Sequence, residues 1–416
     1  MKPHVRIPSA AALLVAAGCA PSDAPPPIEA VATIESPAGP LSGEPNLAVD
    51  SEGRVYLSWL ERKADSTVAL HLAVRDDGTW STPATITARK DLFVNWADFP
   101  SVFVAPSGRI VMHWLQKRPG GRYSYDVIVR QSSDAGATWS EPRTLHDDNV
   151  AAEHGFVSFF AAEGDSVEAV WLDGRATAGG GHDEHATTRG AMQLGNTRIG
   201  ADGGVAATSL IDNRICDCCQ TAAAMTSRGP VVVYRDRSPE EIRDIAVLRR
   251  VNGTWTEPTR VHADEWHIEG CPVNGPSIVA DGERVAVAWF TGARDTARVN
   301  VAFSSDAGAT FNAPVRVDDG NPAGRVDVEF DGSGRALVTW LERVGDDGAE
   351  VRIRAVSPGG TTSPAMMVAS SAAARASGFP RMVRAGEEII FAWTQPGDTA
   401  RVRMATARLA ARSGGR

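Results

Sequence analysis

The sequence has no long hydrophobic stretch beyond its first twenty residues, and that stretch is shorter than the roughly 20 apolar residues that a membrane-spanning helix needs. Positive charge is also scarce, because 42 lysine and arginine residues stand against 51 aspartate and glutamate residues. A surface that neutralises nucleic-acid phosphates is therefore not expected. Cysteine and tyrosine are rare, with five and four residues. What remains is an ordinary soluble composition, long enough to bury a large core.

The N-terminus has the segments of a secretory signal. Lys2 and Arg6 precede a short apolar stretch, and small residues at 16–18 lead directly to Cys19. This ending resembles the bacterial lipobox, in which the cysteine is lipidated and begins the mature chain. We expect a signal peptide over residues 1–18, a lipid anchor on Cys19, and a Pro-rich tether over residues 19–27 that holds the protein to the bacterial cell envelope. The alternative is an ordinary signal peptide with a chance cysteine.

One phrase recurs through the rest of the chain: an apolar strand, a turn, and an alternating strand that ends in an aromatic residue. The first copy is PNLAVDSEGRVYLSW (residues 45–59), and the last is PRMVRAGEEIIFAW (residues 380–393). The closing aromatics lie 55, 57, 63, 55, 51 and 53 residues apart. They are Trp59, Trp114, Trp171, Tyr234, Trp289, Trp340 and Trp393. A third and a fourth strand follow each phrase, so this period predicts an all-β propeller of four-stranded blades, with seven blades favoured and six as the alternative.

The last unit ends after its third strand, at residues 401–409, whereas residues 28–34 precede the first unit and have no partner within it. We expect this N-terminal segment to supply the missing fourth strand and to close the ring. The propeller would then span residues 28–410 and leave 411–416 as a tail. The alternative is that residues 28–34 belong to the tether.

Two turns between third and fourth strands carry the pattern S-x-D-x-G-x-T followed by an aromatic residue. The residues are Ser132, Asp134, Gly136, Thr138 and Trp139 in one turn and Ser304, Asp306, Gly308, Thr310 and Phe311 in the other. A short Asp can cap backbone amides there, and Gly can adopt positive φ. The pattern resembles the Asp-box of the sialidase and BNR-repeat propellers. That resemblance implies a scaffold and leaves the chemistry open, because unrelated functions share it.

The resemblance also implies a site: in sialidases, clustered arginines hold the substrate carboxylate, an early Asp is the acid, and a late Tyr activated by a Glu is the nucleophile. No tyrosine follows residue 234, and Tyr123 and Tyr125 lie in the wrong unit for this role. The Arg-Ile-Pro motif of sialidases occurs only at residues 6–8, inside the signal, and Arg381 in Phe-Pro-Arg is not a credible replacement. A sialidase-like fold is therefore expected, and sialidase activity is left open.

The links after the closing aromatics should lie on the face opposite the Asp-boxes, and they carry arginines beside carboxylates. These guanidinium groups would either hold an anionic ligand or pair with neighbouring acids to stiffen the loops. The densest link, YRDRSPEEIRD, spans residues 234–244. The candidate ligand-binding residues are Arg175, Arg235, Arg237, Arg243, Arg294, Trp96 and Trp266. For a glycosidase, the candidate carboxylates are Asp98, Asp236, Glu241 and Asp244.

Four cysteines remain after Cys19, and they lie in two successive links of the predicted functional face. They are Cys216, Cys218, Cys219 and Cys271. Two disulfides are the default in an exported protein. The alternatives are free redox thiols or a soft-metal site for Zn or Cu(I), to which histidines would add nitrogen ligands. The histidines within reach are His154, His182, His185, His262 and His267.

These observations favour an exported, lipid-anchored propeller that binds or hydrolyses an anionic glycan or a similar small ligand. We expect a monomer that contacts the membrane through its lipid only, with no certain cofactor. The rival interpretation is a non-enzymatic envelope protein whose Cys and His loops bind a metal or a partner. A third is a scaffold that assembles with other envelope proteins through the same face.

Overall fold

The computed structural model of the chain describes residues 25–119, 121, 123–178 and 190–410. The signal peptide, Cys19 and the 411–416 tail lie outside these residues. The described part is all-β, with thirty strands and four single-turn 3-10 segments, and none of its helices is long and apolar enough to cross a membrane. The strands form seven antiparallel sheets, so the predicted seven-bladed propeller is confirmed.

The first strand of the chain, β1 (Ala32–Ile34), belongs to the last blade. Blade 1 contains β2 (Ser42–Val49), β3 (Val55–Arg62), β4 (Val68–Asp76), β5 (Thr79–Trp80) and β6 (Ala84–Arg89). Blade 2 contains β7 (Val102–Val104), β8 (Ile110–Lys117), β9 (Tyr125–Ser132) and β10 (Arg143–Thr144). Blade 3 contains β11 (His154–Ala161), β12 (Val167–Asp173), β13 (Met192–Ile199) and β14 (Ser209–Ile215).

Blade 4 contains β15 (Ala222–Thr226), β16 (Gly229–Arg235), β17 (Ile245–Val251), β18 (Thr254–Trp255) and β19 (Thr259–Arg260). Blade 5 contains β20 (Ser277–Asp281), β21 (Arg284–Thr291), β22 (Arg298–Ser304) and β23 (Val315–Arg316). Blade 6 contains β24 (Pro322–Phe330), β25 (Ala336–Val344), β26 (Gly348–Val356) and β27 (Met366–Ala372). Blade 7 contains β28 (Arg381–Ala385), β29 (Glu388–Gln395) and β30 (Arg401–Arg408), and β1 pairs antiparallel with β30 as its fourth strand.

In blades 1 and 4 the Thr-Trp dipeptide is not the whole outer strand. It pairs with the end of the third strand only briefly, as β5 and β18. A second segment, β6 or β19, then pairs with the rest of the same third strand. The dipeptide therefore marks the turn, and the outer edge of the blade is formed mainly by the residues that follow it.

Apolar side chains are buried between neighbouring blades rather than in one central core. Each of seven hydrophobic clusters joins two adjacent blades, and one of them joins blade 7 to blade 1. The closing aromatics of the second strands lie inside these clusters; Trp171 and Trp340 have no exposed surface, and Trp393 is 6% exposed. The repeated aromatic is therefore the residue with which each blade packs against its neighbour.

The two Asp-box turns have the same hydrogen bonds. In the second box, the Ser304 hydroxyl donates to Asp306 at 2.7 Å, and the backbone N–H of Thr310 donates to the same carboxylate at 2.9 Å. The N–H of Gly308, which has φ of 78°, donates to Ser304 Oγ at 2.9 Å. Burial opposes ionisation, but the hydrogen bonds from Thr310 and Ser304 outweigh it and lower the pKa of Asp306 to about 2. We call the face that carries these turns the turn face.

The opposite face carries the connections between blades and the links between second and third strands, and we call it the connection face. The innermost strand of each blade starts at this face, so residues just before these strands converge there. In blades 1, 3 and 6 the innermost strand has a β-bulge near this end, at Glu44, Phe156 and Arg325. All three have positive φ, between 53° and 58°. Such backbone is costly for non-glycine residues, so something must hold it in place.

Candidate functional site

A channel of about 350 Å³ runs through the centre of the propeller, lined by the innermost strands of all seven blades. At the connection face it is bounded by aromatic and charged side chains from the segment before blade 2 and from the starts of blades 6 and 7. We call this set the channel mouth. It consists of the lining residues Asp98, Phe99, Asp327, Phe379 and Arg381, together with Trp96, which does not line the channel but stacks on Phe379. The loops that bring these residues together are far apart in sequence, and the closed ring alone makes them neighbours.

Asp98 is the most strongly perturbed group of the channel mouth. Its carboxyl is 2% exposed, and Oδ1 accepts a hydrogen bond from the backbone N–H of Phe156 at 2.7 Å. Burial raises the pKa of Asp98 well above its usual value; the Phe156 amide lowers it, and the nearby Glu153 raises it further. Asp98 thus retains a proton far above the pH at which an exposed Asp loses it. From the sequence, Asp98 is expected to act as a general acid only if it is buried, and Asp98 is buried.

One carboxyl oxygen of Asp98 has a structural role, because the Phe156 amide belongs to the bulge of blade 3. Asn274 Oδ1 accepts from the N–H of Arg325 at 2.7 Å at the matching bulge of blade 6. At the bulge of blade 1 the acceptor is Thr394 Oγ1, at 3.2 Å from the amide nitrogen of Glu44. The other oxygen, Asp98 Oδ2, is buried and accepts no hydrogen bond of good geometry from the described residues. This oxygen is therefore available for chemistry that the scaffold does not need.

Tyr125 and Glu153 form a pair next to Asp98. The Tyr125 hydroxyl donates to Glu153 Oε1 at 2.7 Å, and Tyr125 also interacts with Asp98. Burial and the charges of Glu153 and Asp98 raise the pKa of Tyr125 well above its usual value, and its side chain has no exposed surface. The sequence missed this Tyr–Glu pair, since both residues come from early in the chain. A raised pKa makes Tyr125 a weak nucleophile, so its position favours orienting Asp98.

Arg381 is the cation of the channel mouth. Its Nε lies 3.4 Å from Asp327 Oδ2, and no hydrogen bond joins its Nη atoms to the described residues. Asp327 is itself held in place, because it accepts from Ser277 Oγ and from the Met382 N–H, each at 2.9 Å. Arg381 therefore has a fixed carboxylate behind it and two nitrogens that can bind a ligand. From the sequence, Arg381 is not counted among the ligand-binding residues. The signal that could have indicated it is Phe-Pro-Arg at the start of the last repeat.

Aromatic rings line the mouth beside this arginine. Trp96 stacks on Phe379, with ring centroids 5.9 Å apart and planes at 18°, and the Arg381 guanidinium lies 5.7 Å from the Phe99 ring. Trp96 and Phe99 are both partly exposed. The Arg325 guanidinium lies over the Trp96 ring, 4.8 Å from its centroid. The structure thus brings Trp96, one of the predicted ligand-facing residues, to the channel mouth.

Two of the predicted ligand-binding residues, Arg235 and Trp266, are instead buried against other parts of the protein. Arg235 is 1% exposed and donates to the backbone carbonyls of Arg243, Asn274 and Phe290. Trp266 is 8% exposed and stacks on this guanidinium at 4.8 Å. Neither residue is accessible to a ligand, so the ligand-binding interpretation does not fit them. From sequence, an arginine after a closing aromatic looks the same whether it points out or in.

The rest of the 234–244 link is mostly an ion-pair network. Arg237 contacts Glu241 at 2.7 Å and Asp217 at 2.9 Å, and Arg243 contacts Glu241 at 2.8 Å. Arg237 and Arg243 thus pair with neighbouring acids, which the sequence left as the alternative. Asp244 is buried and accepts from the backbone amides of residues 265 and 266. These contacts favour a structural role for Glu241 and Asp244 over a catalytic one.

Asp236 is the exception in this link. Burial raises its pKa to about 6; the Arg237 backbone amide opposes the shift, and nearby Asp212 adds to it. Its neighbour Tyr234 donates its hydroxyl to Asp212. A carboxyl that titrates near neutral pH suits proton transfer, but Asp236 is not among the residues that line the central channel.

Arg175 belongs to a second buried network, between blades 2 and 3. It contacts Asp173 at 2.8 Å and Asp148 at 3.3 Å. Asp148 in turn hydrogen bonds to the stacked rings of His146 and His154, at 2.8 and 2.9 Å. The two rings are 3.7 Å apart and parallel. His154 is therefore committed to Asp148, and His262 is similarly bonded to Asp264 at 2.8 Å.

Arg294 is exposed and lies in a separate cavity of about 200 Å³ on blade 5. Arg298, Arg316 and His262 also line this cavity. Arg316 already pairs with Asp318 at 2.7 Å, whereas no ion pair joins Arg294 or Arg298 to the described residues. This cavity is cationic, but it shares no residue with the central channel.

The four cysteines lie together on the connection face, and no disulfide joins them in the described structure. The disulfides expected from sequence are therefore not confirmed. Cys216 Sγ is 3.4 Å from Cys219 Sγ and 3.9 Å from Cys218 Sγ. Burial raises the pKa of the Cys216 thiol, but hydrogen bonds from Cys218 and Cys219 and the charges of Arg243 and Arg235 outweigh it, and the pKa lies well below its usual value. Among the described residues, no histidine, aspartate or glutamate joins this group.

Comparison with known proteins agrees with this architecture. Residues 58–235 match the family model described as a BNR repeat-like domain. This match covers blades 1 to 3 and the start of blade 4, and the described sheets form a seven-bladed propeller. No protein of curated function matches the sequence.

Three solved structures show how widely this fold is shared. The lectin BP39L from Burkholderia pseudomallei has a TM-score of 0.62 at 10% identity, covering 90% of this chain and 98% of its own. The polysaccharide lyase Uly1 has a TM-score of 0.54 at 10% identity, covering 88% and 90%. A protein from Dyadobacter fermentans has a TM-score of 0.51 at 13% identity, covering 89% and 95%. At these identities the likeness concerns the fold.

Proposed function

We propose that this propeller binds a glycan with an acidic group at the channel mouth. The observation that carries the proposal is the combination of partly exposed aromatic rings, the buried carboxyl of Asp98 and an arginine whose Nη atoms bind no described residue, all in one recess. The names of two structures with this fold, a lectin and a polysaccharide lyase, support a carbohydrate ligand.

Each component has a distinct role in this proposal. The partly exposed ring of Phe99 would pack against a sugar ring, which is apolar on its C–H face, and the exposed edge of Trp96 would extend this apolar surface. Arg381 would hold the ligand carboxylate with its two Nη atoms, since a guanidinium group matches a carboxylate fork. Asp98, which is buried beside this surface, would hold the bulge at Phe156 in place. Asp327 behind Arg381 keeps the guanidinium oriented, so little side-chain entropy is lost on binding.

The test is a calorimetric titration of the mature protein with sialylated and uronate-containing oligosaccharides, and with neutral oligosaccharides as a reference. We expect Arg381→Gln to weaken binding of the acidic glycans by at least 10-fold, because one charge-assisted contact to a carboxylate is lost. Arg384→Gln is the matched control: Arg384 lies on the same strand and donates to Gly386 O, toward the turn face. Equal affinities for acidic and neutral glycans, or equal losses in both variants, would contradict the proposal.

A second candidate function is hydrolysis of the bound glycan, and the carboxyl cluster of Asp98, Tyr125 and Glu153 favours it. Asp98 would protonate the leaving oxygen, because burial raises its pKa well above the usual value. Fluorogenic sialosides and uronides are suitable substrates for the test. Asp98→Asn should abolish turnover while leaving glycan affinity within a few-fold, and full activity in that variant would rule out Asp98 as the acid.

We also infer that the protein is exported and lipid-anchored through Cys19, which lies outside the described residues. The basic and apolar signal, the small residues before Cys19 and the Pro-rich tether support this location in the cell envelope. The mature N-terminal peptide should carry a lipid adduct on Cys19 by mass spectrometry, and the chain should enter the membrane fraction. A Cys19→Ser variant should be soluble. An unmodified Cys19 in mature protein would refute the anchor.

A further inference from the structure

Three buried thiols meet on the connection face beside the start of blade 4. Cys216, Cys218 and Cys219 are each 8% exposed or less, and their three sulfur atoms lie within 4.8 Å of one another. A tetrahedral Zn²⁺ site with Zn–S bonds of about 2.3 Å requires sulfur atoms about 3.8 Å apart. The two separations measured from Cys216, 3.4 and 3.9 Å, bracket that spacing. The three thiols therefore already have the spacing of ligands around one ion.

A fourth sulfur comes from the next link of the chain. The thiol of Cys271, which is exposed, interacts with that of Cys218. The two links are joined nearby, because the N–H of Gly275 donates to Gln220 Oε1 at 2.9 Å. Cys271 lies beside Cys218 but outside the group of three sulfur atoms within 4.8 Å of one another, so it would complete a set of four ligands by a small shift toward the ion.

Buried Arg235 fixes both links at once. Its carbonyl accepts from the N–H of Cys216 at 3.0 Å, and its guanidinium donates to Asn274 O at 2.8 and 3.1 Å. A buried arginine whose hydrogen bonds all go to backbone carbonyls makes no ion pair. Its position is explained by the need to hold the two cysteine-bearing links at a constant separation, which is what a site with several ligands requires.

Positive charge surrounds the sulfur atoms. Arg243 is buried, and its Nη1 lies 3.4 Å from Cys216 Sγ. Thiolates are the metal-binding form of cysteine, and four of them around Zn²⁺, or three around Cu⁺, leave two negative charges in excess. The guanidinium groups of Arg243 and Arg235 would balance that excess within the buried region.

We propose that Cys216, Cys218, Cys219 and Cys271 bind one thiophilic d¹⁰ cation, Zn²⁺ or Cu⁺, at a site separate from the channel mouth. Neither ion needs an additional nitrogen ligand here, and the described structure offers none close to the sulfurs. Binding displaces the protons of those cysteines that are still thiols, so it releases protons to solution.

The first experiment uses the mature wild-type chain, isolated from the cell envelope without oxygen. Elemental analysis measures its metal content, and alkylation under denaturing conditions with a chelator counts its thiols. We expect one Zn or Cu per chain and four free thiols in the propeller. The stripped, reduced protein is then titrated with Zn²⁺ and, in a separate arm, with Cu⁺, each against a competing chelator. The arm with the tighter one-to-one binding identifies the ion.

Matched variants locate the site. Cys219→Ser should weaken binding of that ion by about 100-fold or more, because one of the ligands is lost. Cys19→Ser changes the only cysteine outside the group and should leave the affinity unchanged. Co²⁺ bound to the wild type should show the intense near-ultraviolet charge-transfer band of thiolate ligation, a readout that does not depend on how the variants fold. Two disulfides and no metal in the isolated protein, or no binding of either ion after reduction, would overturn the proposal.

Discussion

The two faces of the propeller treat their polar groups in opposite ways. On the turn face, the carboxylate of Asp306 is bonded on both oxygens, to Ser304 and to Thr310, and its pKa is lowered to about 2. On the connection face, Asp98 has one buried oxygen without a hydrogen bond from the described residues, and its pKa is raised well above its usual value. Aspartate therefore stabilises the fold on the turn face, through Asp306, whereas burial of the Asp98 carboxyl on the connection face costs stability.

This difference distinguishes the carboxyl groups that stabilise the fold from the carboxyl group of the candidate site. A turn that satisfies its own carboxylate can be repeated around a ring without regard to function. A buried carboxyl with one oxygen short of a well-formed hydrogen bond costs stability in every folded molecule, so a ligand or a reaction is the natural explanation for it. Three substitutions test the contrast, starting with the one for which we expect the largest change.

Gly155 allows Asp98 to reach its position, because a Cβ at residue 155 would overlap Asp98 Oδ2 and approach Tyr125 Cε2 to 3.2 Å. We expect Gly155→Ala to lower the free energy of unfolding by about 3 kcal/mol, since Asp98 must leave its hydrogen bond to the Phe156 amide. Denaturant unfolding measures this change. Gly270→Ala is the control, because a Cβ there has nothing within 4 Å.

The double variant Gly155→Ala with Asp98→Ala separates a clash with Asp98 from a general disturbance of the bulge. If the clash is the cause, the double variant loses clearly less stability than the sum of the two single variants. Additive losses would show that Gly155 acts through the backbone and would remove this contrast between the faces.

The Asp98→Asn variant tests whether the Asp98 carboxyl is protonated in the folded protein. The folded protein retains this proton at pH values at which the unfolded chain has released it. The contribution of Asp98 to stability is therefore greatest below the usual Asp pKa of 3.8 and declines as the pH rises toward the raised value. We expect the variant to abolish a decline of up to about 1.4 kcal/mol per pH unit that begins above the usual Asp pKa. Parallel stability curves for the two proteins would mean that Asp98 is ionised in the fold.

Glu329 is the control for that measurement. It also lines the channel, and burial, helped by the charge of Asp327, raises its pKa to about 8. Glu329→Gln should leave the Asp98 contribution in place and remove a separate decline that extends to about pH 8.

Asp306→Ala should give the smallest change, a loss of about 1 kcal/mol near neutral pH, because the turn is largely exposed and water replaces part of the hydrogen bonding. Ser305→Ala, the exposed neighbour, is the control. The pH dependence has the opposite sign to that of Asp98: the contribution of Asp306 is present above the usual Asp pKa and is lost as the pH falls toward 2. Glycan affinity should not change, and a change would contradict the separation of the faces.

Much of the fold was predictable because its determinants are local and repeated. The closing aromatics gave the number of blades, and the Asp-box residues gave the turns, since both patterns lie within a few residues of chain. Asp98 was predictable as a candidate acid that needed burial. Arg235 and Arg381 were not distinguishable by sequence, although one is buried against backbone carbonyls and the other lines the channel. The Tyr125–Glu153 pair was missed because a pair 28 residues apart leaves no local pattern.

The sequence by itself determined that this protein is a propeller with Asp-box turns and favoured seven blades over six, because side-chain alternation and turn chemistry act at short range. Only the tertiary structure decided which polar groups meet at the centre of the ring. Those groups come from loops tens to hundreds of residues apart, and the packing of each blade on its neighbour fixes the distances between them. Burial, which reversed the pKa shift of Asp98 relative to that of Asp306, is likewise a property of the closed ring.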